Sequence, residues 1–349
     1  NGYSFSAGST VEVSVAAIEM VYVPQGSFYV GSGGSEVGSL TDGSWTSGAT
    51  IPYLISSEAS INIANAAGCL WGTTNSGITS SIGGTGVLSA DYPKGYHAFY
   101  CMKYEITQGQ YCDFLNKLTS GQASNRWSPS VTGYRYTIGT NTVGVYTNGS
   151  PDRACNYLTR SDAAAYAAWA GLRPMTELEF EKACRGPVYP VVEEYAWGNT
   201  TVTQLRTENG TPGSGVETAG TLTGANCCEG YWSTMLGPTR VGIFATASSS
   251  TRQAAGASYW GIMELSGNVT ERCVTIGNTN GRNFVGSLGS GMLDAMTGSS
   301  TNTDWAIDSV RGGSWSSTTP LRVSDRSQGT YVDGGRYNSN GFRAVRPAP

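Results

Sequence analysis

"DAAAYAAWAGLRPMTELEFEKACRG", residues 162–186, contains two helices and the turn that joins them. The first starts near Ser161, runs through the alanine-rich segment, and stops at Gly171, a residue suited to the left-handed cap. The second opens on Thr176 and Glu179. Their spacing is that of a capping box, in which each side chain satisfies an orphan amide of the first turn. Phe180, Ala183 and Cys184 then fall on one inward face, and Gly186 ends the helix.

The pattern extends in both directions. Upstream, "YEITQGQYCDFLNKL" (104–118) puts Ile106, Tyr111, Phe114, Leu115 and Leu118 on one helical face behind a second capping box, Thr107 and Gln110. Further back, Val11, Val13 and Val15 alternate with polar residues as in a half-buried strand, and another strand starts near Met20. Residues 31–95, rich in Gly, Ser, Thr and Asn, read as a long insertion with short strands and no visible chemistry. Beyond residue 187 come loops and short strands without a repeat. The domain organisation expected is a 1–19 extended strand or remnant of an upstream domain, then one domain over 20–349. The chain starts at Asn1 rather than Met, which reads as a processed protein or part of a larger one.

Composition narrows the function classes. Of 349 residues only 13% are charged, about half the usual share. Gly (48), Tyr (20) and Trp (9) are abundant, so the chain is a loop-rich globular protein and not a disordered one. A net charge of -4 with no basic run argues against nucleic acid, and no apolar run reaches the roughly 20 residues of a membrane span. The eight cysteines match no zinc spacing, and His97 is the only histidine, so an imidazole-built metal site is nearly excluded. Disulfides in an oxidising compartment are expected, with Cys155–Cys184 as first candidate pair; the alternative is buried free thiols.

Seven segments in order resemble the formylglycine-generating enzyme (sulfatase-modifying factor) family. They are "MVYVPQGSFYVGS", "FYCMKYEITQGQYCDFLN", the 162–186 stretch, "YAWGN", "GIMELSGNVTE", "VRGGSW" and "GFRAVRP". The resemblance implies an α+β fold, a variant of the C-type lectin fold, with few helices, short strands and long loops. It also implies a copper oxidase working through two cysteines between the "RGGS" and "GFR" motifs. Here that interval, "SSTTPLRVSDRSQGTYVDGGRYNSN" (316–340), holds no cysteine, and the last one is Cys273. Hydroxyls do not replace thiolates as Cu(I) ligands. The family's iron enzymes, such as sulfoxide synthases of thiohistidine biosynthesis, need several histidines. No copper and no iron are therefore expected. Ser314 and Ser316 lack an imidazole base, and Arg311, Arg322, Asp325 and Arg326 read as structural ion pairs beneath the loops.

The resemblance further implies one structural calcium, carried over to the side chains of Glu264 and Glu271 and the carbonyls of Gly267 and Val269. A second calcium site, of which Asn226 is a remnant, is expected to be lost. The function expected is a non-catalytic extracellular structural or binding protein, a pseudoenzyme on the cell surface. It self-associates through the N-terminal strand into a filament or surface layer. A carbohydrate or protein ligand is not identifiable. Two alternatives stand beside this reading. One is a receptor of the diversity-generating-retroelement type, displaying residues 316–340. The other is an enzyme of unrecognised chemistry on the same fold.

Overall fold

A computed structural model describes residues 8, 10, 17–43, 50–73, 82–220, 222–318 and 320–349. The strand expected at Val11, Val13 and Val15 lies outside these residues.

Four short strands form the central antiparallel sheet, in the order Met20–Val23, Phe99–Met102, Ala344–Pro347, Arg173–Pro174. Cys101 sits between Val21 on one side and Val345 on the other. Alternation sends Val23, Phe99, Cys101 and Val345 into one buried cluster with Met175, Phe180, Ala183 and Cys184.

The helices follow the local signals. α1 (Gln108–Asn116) and α4 (Glu177–Arg185) carry the expected capping boxes, Thr107/Gln110 and Thr176/Glu179. α2 (Ser120–Arg126) was not legible from periodicity, since Ala123 is its one buried apolar residue, yet it has a capping box of its own, Thr119/Gln122. α3 (Arg160–Trp169) ends just before Gly171, and Tyr166 and Trp169 pack on Phe114 of α1 with ring centroids 5.7 and 5.4 Å apart. Gly186 closes α4 at φ 69°, where a Cβ would lie 2.4 Å from the Tyr259 ring.

The insertion is more ordered than its composition suggests. Leu40–Asp42, Leu70–Gly72, Ile61–Ile63 and Gly86–Leu88 form a second four-stranded sheet. Its apolar face joins Leu178 of α4, Val274, Ile276 and Phe284 in one cluster, so it is fused to the rest of the core.

Every residue of α4 is buried, including its charges. Glu177 accepts from Arg326 (Nη2, 2.8 Å; Nε, 3.0 Å), from Ser309 Oγ (2.7 Å) and from Arg311 Nη1 (3.3 Å). One turn on, Glu181 accepts from Arg311 Nη2 (2.9 Å), Arg185 Nη1 (3.1 Å) and the amide of Gly31 (2.7 Å). Arg185 also bonds Glu194. The ion pairs expected of Arg311 and Arg326 are therefore the bolts between α4 and the C-terminal loops. Arg322 pairs with Glu193 nearer the surface, and Asp325 accepts from Ser327.

The disulfide expectation is corrected. All eight cysteines are free thiols, and Cys155 and Cys184 belong to different clusters. Adjacent Cys227 and Cys228 also point into separate clusters. Each packs as a small hydrophobe, so the cysteines give no argument for an oxidising compartment. Among the described residues no helix is long and apolar enough to cross a membrane.

Candidate functional site

The "RGGSW" turn and the segment before "GFR" enclose a cavity of about 250 Å3, lined chiefly by Ser314, Ser316, Ser317, Tyr331, Tyr337 and Asn340. The turn is set by Gly312 at φ 79°, whose missing Cβ would lie 2.8 Å from the carbonyl oxygen of Leu265. Trp315 anchors it from below. Its Nε1 donates to Asn338 O (3.0 Å), and its ring stacks on Tyr231 with centroids 5.5 Å apart. The Ser314 hydroxyl lies 3.1 Å from those of Ser316 and Ser317, and the Tyr337 hydroxyl donates to Asp333. Thr270 Oγ1 donates to Asn340 Oδ1 (3.1 Å), while Asn340 Nδ2 is buried without a hydrogen-bond partner.

The lining consists of hydroxyls, amides and one proline, with neither Cys nor His. His97 lines a different cavity, with Glu58, Asp91 and Glu179, so neither Ser314 nor Ser316 has an imidazole base. Cys101, Cys155, Cys184, Cys227 and Cys273 are buried elsewhere, and burial pushes them up: Cys101 to about 12, and the other four well above the usual range. The residues present do not fit a thiolate-bound copper or a histidine-bound iron in this pocket.

Behind the pocket, the strand Glu271–Cys273 pairs with Ser309–Arg311. Glu271 and Cys273 face the core, where Glu271 Oε1 accepts from Arg343 Nε (2.8 Å) and Nη2 (2.7 Å). Thr270 and Arg272 face the opposite way. Arg272 is fully buried, and none of its three guanidinium nitrogens has a hydrogen-bond partner among the described residues.

Of the four expected calcium ligands, the carboxylates of Glu264 and Glu271 are electrostatic neighbours of each other and of Glu105. Glu264 Oε1 accepts from Gly242 N (2.8 Å), and Glu264 Oε2 and Glu271 Oε2 are buried without partners. The Gly267 amide donates to Gly312 O, and the Val269 amide to Glu105 Oε1 (3.0 Å). Glu105 is the residue that sequence reasoning missed. Its other oxygen accepts from Asn268 Nδ2 (2.6 Å), across a separation of 163 positions that no local pattern reveals. Burial pushes Glu264 up to about 7 and Glu105 well above the carboxylate range, with Arg343 offsetting only part of it; burial raises Glu271 as well. Hard oxygen donors with two unused carboxylate oxygens suit Ca²⁺, with Arg343 as the competing counter-ion on Glu271. Side chains alone do not complete a site. Among the described residues no group of three or more His, Cys, Asp or Glu could hold a metal ion, so the carbonyls of Gly267 and Val269 would have to contribute.

A family model described as "Sulfatase-modifying factor enzyme 1-like domain" matches residues 72–348. Among curated proteins, the hercynine oxygenase of Mycolicibacterium thermoresistibile is 37% identical over 78 residues, 22% of this chain. The chain spans 16% of that protein's length. PvdO from Pseudomonas aeruginosa aligns at a TM-score of 0.47 and 16% identity, covering 95% of each chain. Treponema denticola variable protein 1 aligns at 0.46 and 14%, covering 99% of this chain and 100% of that one. These findings correct the expectation of a non-catalytic structural protein. The matched family is described as an enzyme family, and the curated relative is an oxygenase.

Proposed function

The chain belongs to the sulfatase-modifying factor enzyme 1-like family, and from that premise we propose that it is an enzyme whose substrate is a small polar molecule held between Ser314–Ser317 and Tyr331–Asn340. The observation that carries this reading is the place of the cavity. It opens in the interval between the "RGGS" and "GFR" motifs, where the enzymes this chain resembles keep their reactive cysteines, and it is built from that interval's own side chains. Its walls offer hydroxyls that donate and accept, an amide donor on Asn340, and the Tyr331 and Tyr337 rings. Such a lining orients a substrate rich in hydroxyl or amide groups and rejects one that leaves buried polar atoms unmatched. The similarity to an oxygenase supports oxidation of the bound substrate, with molecular oxygen as the co-substrate that takes up the electrons. No step is routed through thiolate-bound copper or histidine-bound iron, because the pocket has no ligand for either. The task of this chain's own residues is to bind, orient and exclude water.

The test is a thermal-shift screen of small polar metabolites, followed by oxygen uptake and product mass with each stabilising compound. Binding and turnover that fall in Tyr337→Phe and Ser316→Ala support the reading. A screen without a single ligand displaced by these substitutions refutes it.

The calcium at Glu264, Gly267, Val269 and Glu271 enters as a second, structural proposal. The unpartnered oxygens of Glu264 and Glu271 support it.

A further inference from the structure

We propose that the substrate enters this pocket by a carboxylate group, and that Arg272 and Asn340 receive it. This rests on the reading of the cavity as the substrate site.

The first observation is a contrast between arginines. Arg185, Arg311, Arg326 and Arg343 are fully buried, and each is bound to at least one glutamate. Arg272 is as deeply buried, and among the described residues it has no ion pair and Nε, Nη1 and Nη2 all lack a hydrogen-bond partner. A buried guanidinium without a partner destabilises a fold by several kcal/mol, on the order of the desolvation of one ion. An anion that arrives with the ligand removes that penalty.

The second observation is direction. Thr270, which lines the cavity, immediately precedes the strand Glu271–Cys273 and bridges to Asn340; Arg272, two positions on, points to the same side by alternation and lies behind that wall rather than in it. Tyr331, another lining residue, is an electrostatic neighbour of Arg272. The other charged neighbours are already committed. Arg160 is bound to Asp308; Asp162 to Arg336, to Arg126 and to the Thr159 amide; Asp333 to the Tyr337 hydroxyl and the Gly335 amide.

The third observation is a matching donor. Asn340 Nδ2, in the cavity wall beside Thr270, is also buried and unpartnered. A planar guanidinium fork with an amide donor can hold both oxygens of a carboxylate; the fork alone would also accept a phosphate, so the test includes one. The Ser314, Ser316 and Ser317 hydroxyls are left for the uncharged part of the molecule, and a cavity of about 250 Å3 limits it to amino-acid-like size.

The experiment uses the full chain and three probes: N-acetylglycine, N-acetylglycinamide and inorganic phosphate. Binding is read by thermal shift and calorimetry. N-acetylglycine is expected to raise the midpoint, with the amide weaker by about tenfold or more and phosphate weaker than the carboxylate. Arg272→Met is expected to melt at or above the wild-type midpoint without probe, because an unpaired buried charge has gone, and to lose the response to N-acetylglycine. Asn340→Asp, which places a carboxylate where the amide donor stood, is expected to abolish binding in a folded protein. An unfolded or strongly destabilised Arg272→Met protein would show Arg272 to be structural and overturn the proposal. Equal binding of acid and amide, tighter binding of phosphate, or no binding of N-acetylglycine would overturn it too. The metabolite screen above judges the pocket itself, so equal binding of acid and amide there removes the carboxylate but not the substrate site.

Discussion

Glu177→Gln should be among the most damaging single-atom changes in this protein. Glu177 is fully buried, and the network around it balances three carboxylates (Glu177, Glu181, Glu194) against three guanidiniums (Arg185, Arg311, Arg326). The substitution keeps the shape and removes one negative charge, leaving an excess positive charge in the interior. Breaking a buried pair in this way costs about 3–5 kcal/mol. The titration of the carboxyl gives an independent figure. Burial pushes it up, but Arg326 and Arg311 override burial and hold it at about 2, below the ordinary 4.5. That difference is worth about 3 kcal/mol. An unfolding entropy of about 2.1 cal/mol/K per residue over 349 residues turns 3–5 kcal/mol into a fall of about 4–7 °C in the midpoint. Because the folded value lies below the unfolded one, the stabilisation is fully present above pH 4.5 and disappears as the pH falls towards 2. Glu177→Gln has nothing to titrate there. Calorimetry of both proteins at pH 7 and down the acid range should therefore show a gap that closes with acid. A gap under about 1 °C at neutral pH, or one that persists unchanged at pH 2, would refute the reasoning.

Four further outcomes follow from the structure. Thr176→Ala removes the cap of α4 and its bond to Pro93 O, and should cost about 1–2 kcal/mol in denaturant melts; a neutral result would mean that packing alone sets the helix start. Thiol titration of unreduced, denatured protein should find all eight cysteines, and any shortfall would reveal a bridge. Calcium should raise the wild-type midpoint but not that of Glu264→Gln, with both melting alike in chelator; identical calcium responses would remove Glu264 from the ligand set. Tyr337→Phe should leave the midpoint nearly unchanged, since the hydroxyl's partners, Asp333 and Tyr331, are near the surface, while it weakens ligands of the 314–340 pocket; a large loss of stability would make that residue structural.

What the sequence disclosed was what four consecutive residues can encode. The capping boxes at Thr107/Gln110 and Thr176/Glu179 are local, and so are the terminating glycines 171 and 186. The pairing of Arg311 and Arg326 was foreseeable because a charged residue beneath loops needs a partner, although Glu177 and Glu181 as the partners were not. The second sheet was hidden, since strands of three residues are too short to show alternation. The cysteines misled because their even number suggested bridges, whereas all eight are free thiols and all but the half-buried Cys69 are buried. Of the pocket, the interval was visible, and so was its lack of the cysteines that the family's copper chemistry uses. The isolation of Arg272 and the approach of Glu105 to Asn268 were not visible, because both depend on which distant segments fold against them.

The place of Ala344–Pro347 in the central sheet has a consequence in time. This strand fills the space between Phe99–Met102 and Arg173–Pro174, and Arg343 just before it neutralises Glu271. Roughly 240 residues separate it from Met102, so a ribosome moving at ~5–20 residues per second takes about 12–50 s to supply it. Throughout that interval the nascent protein carries Phe99 and Cys101 on an open strand edge and an acidic centre without its guanidinium. The sheet therefore closes only when Arg343 and Ala344–Pro347 emerge, and a chain ending before Arg343 would be a substrate for chaperones and proteases rather than a smaller working domain.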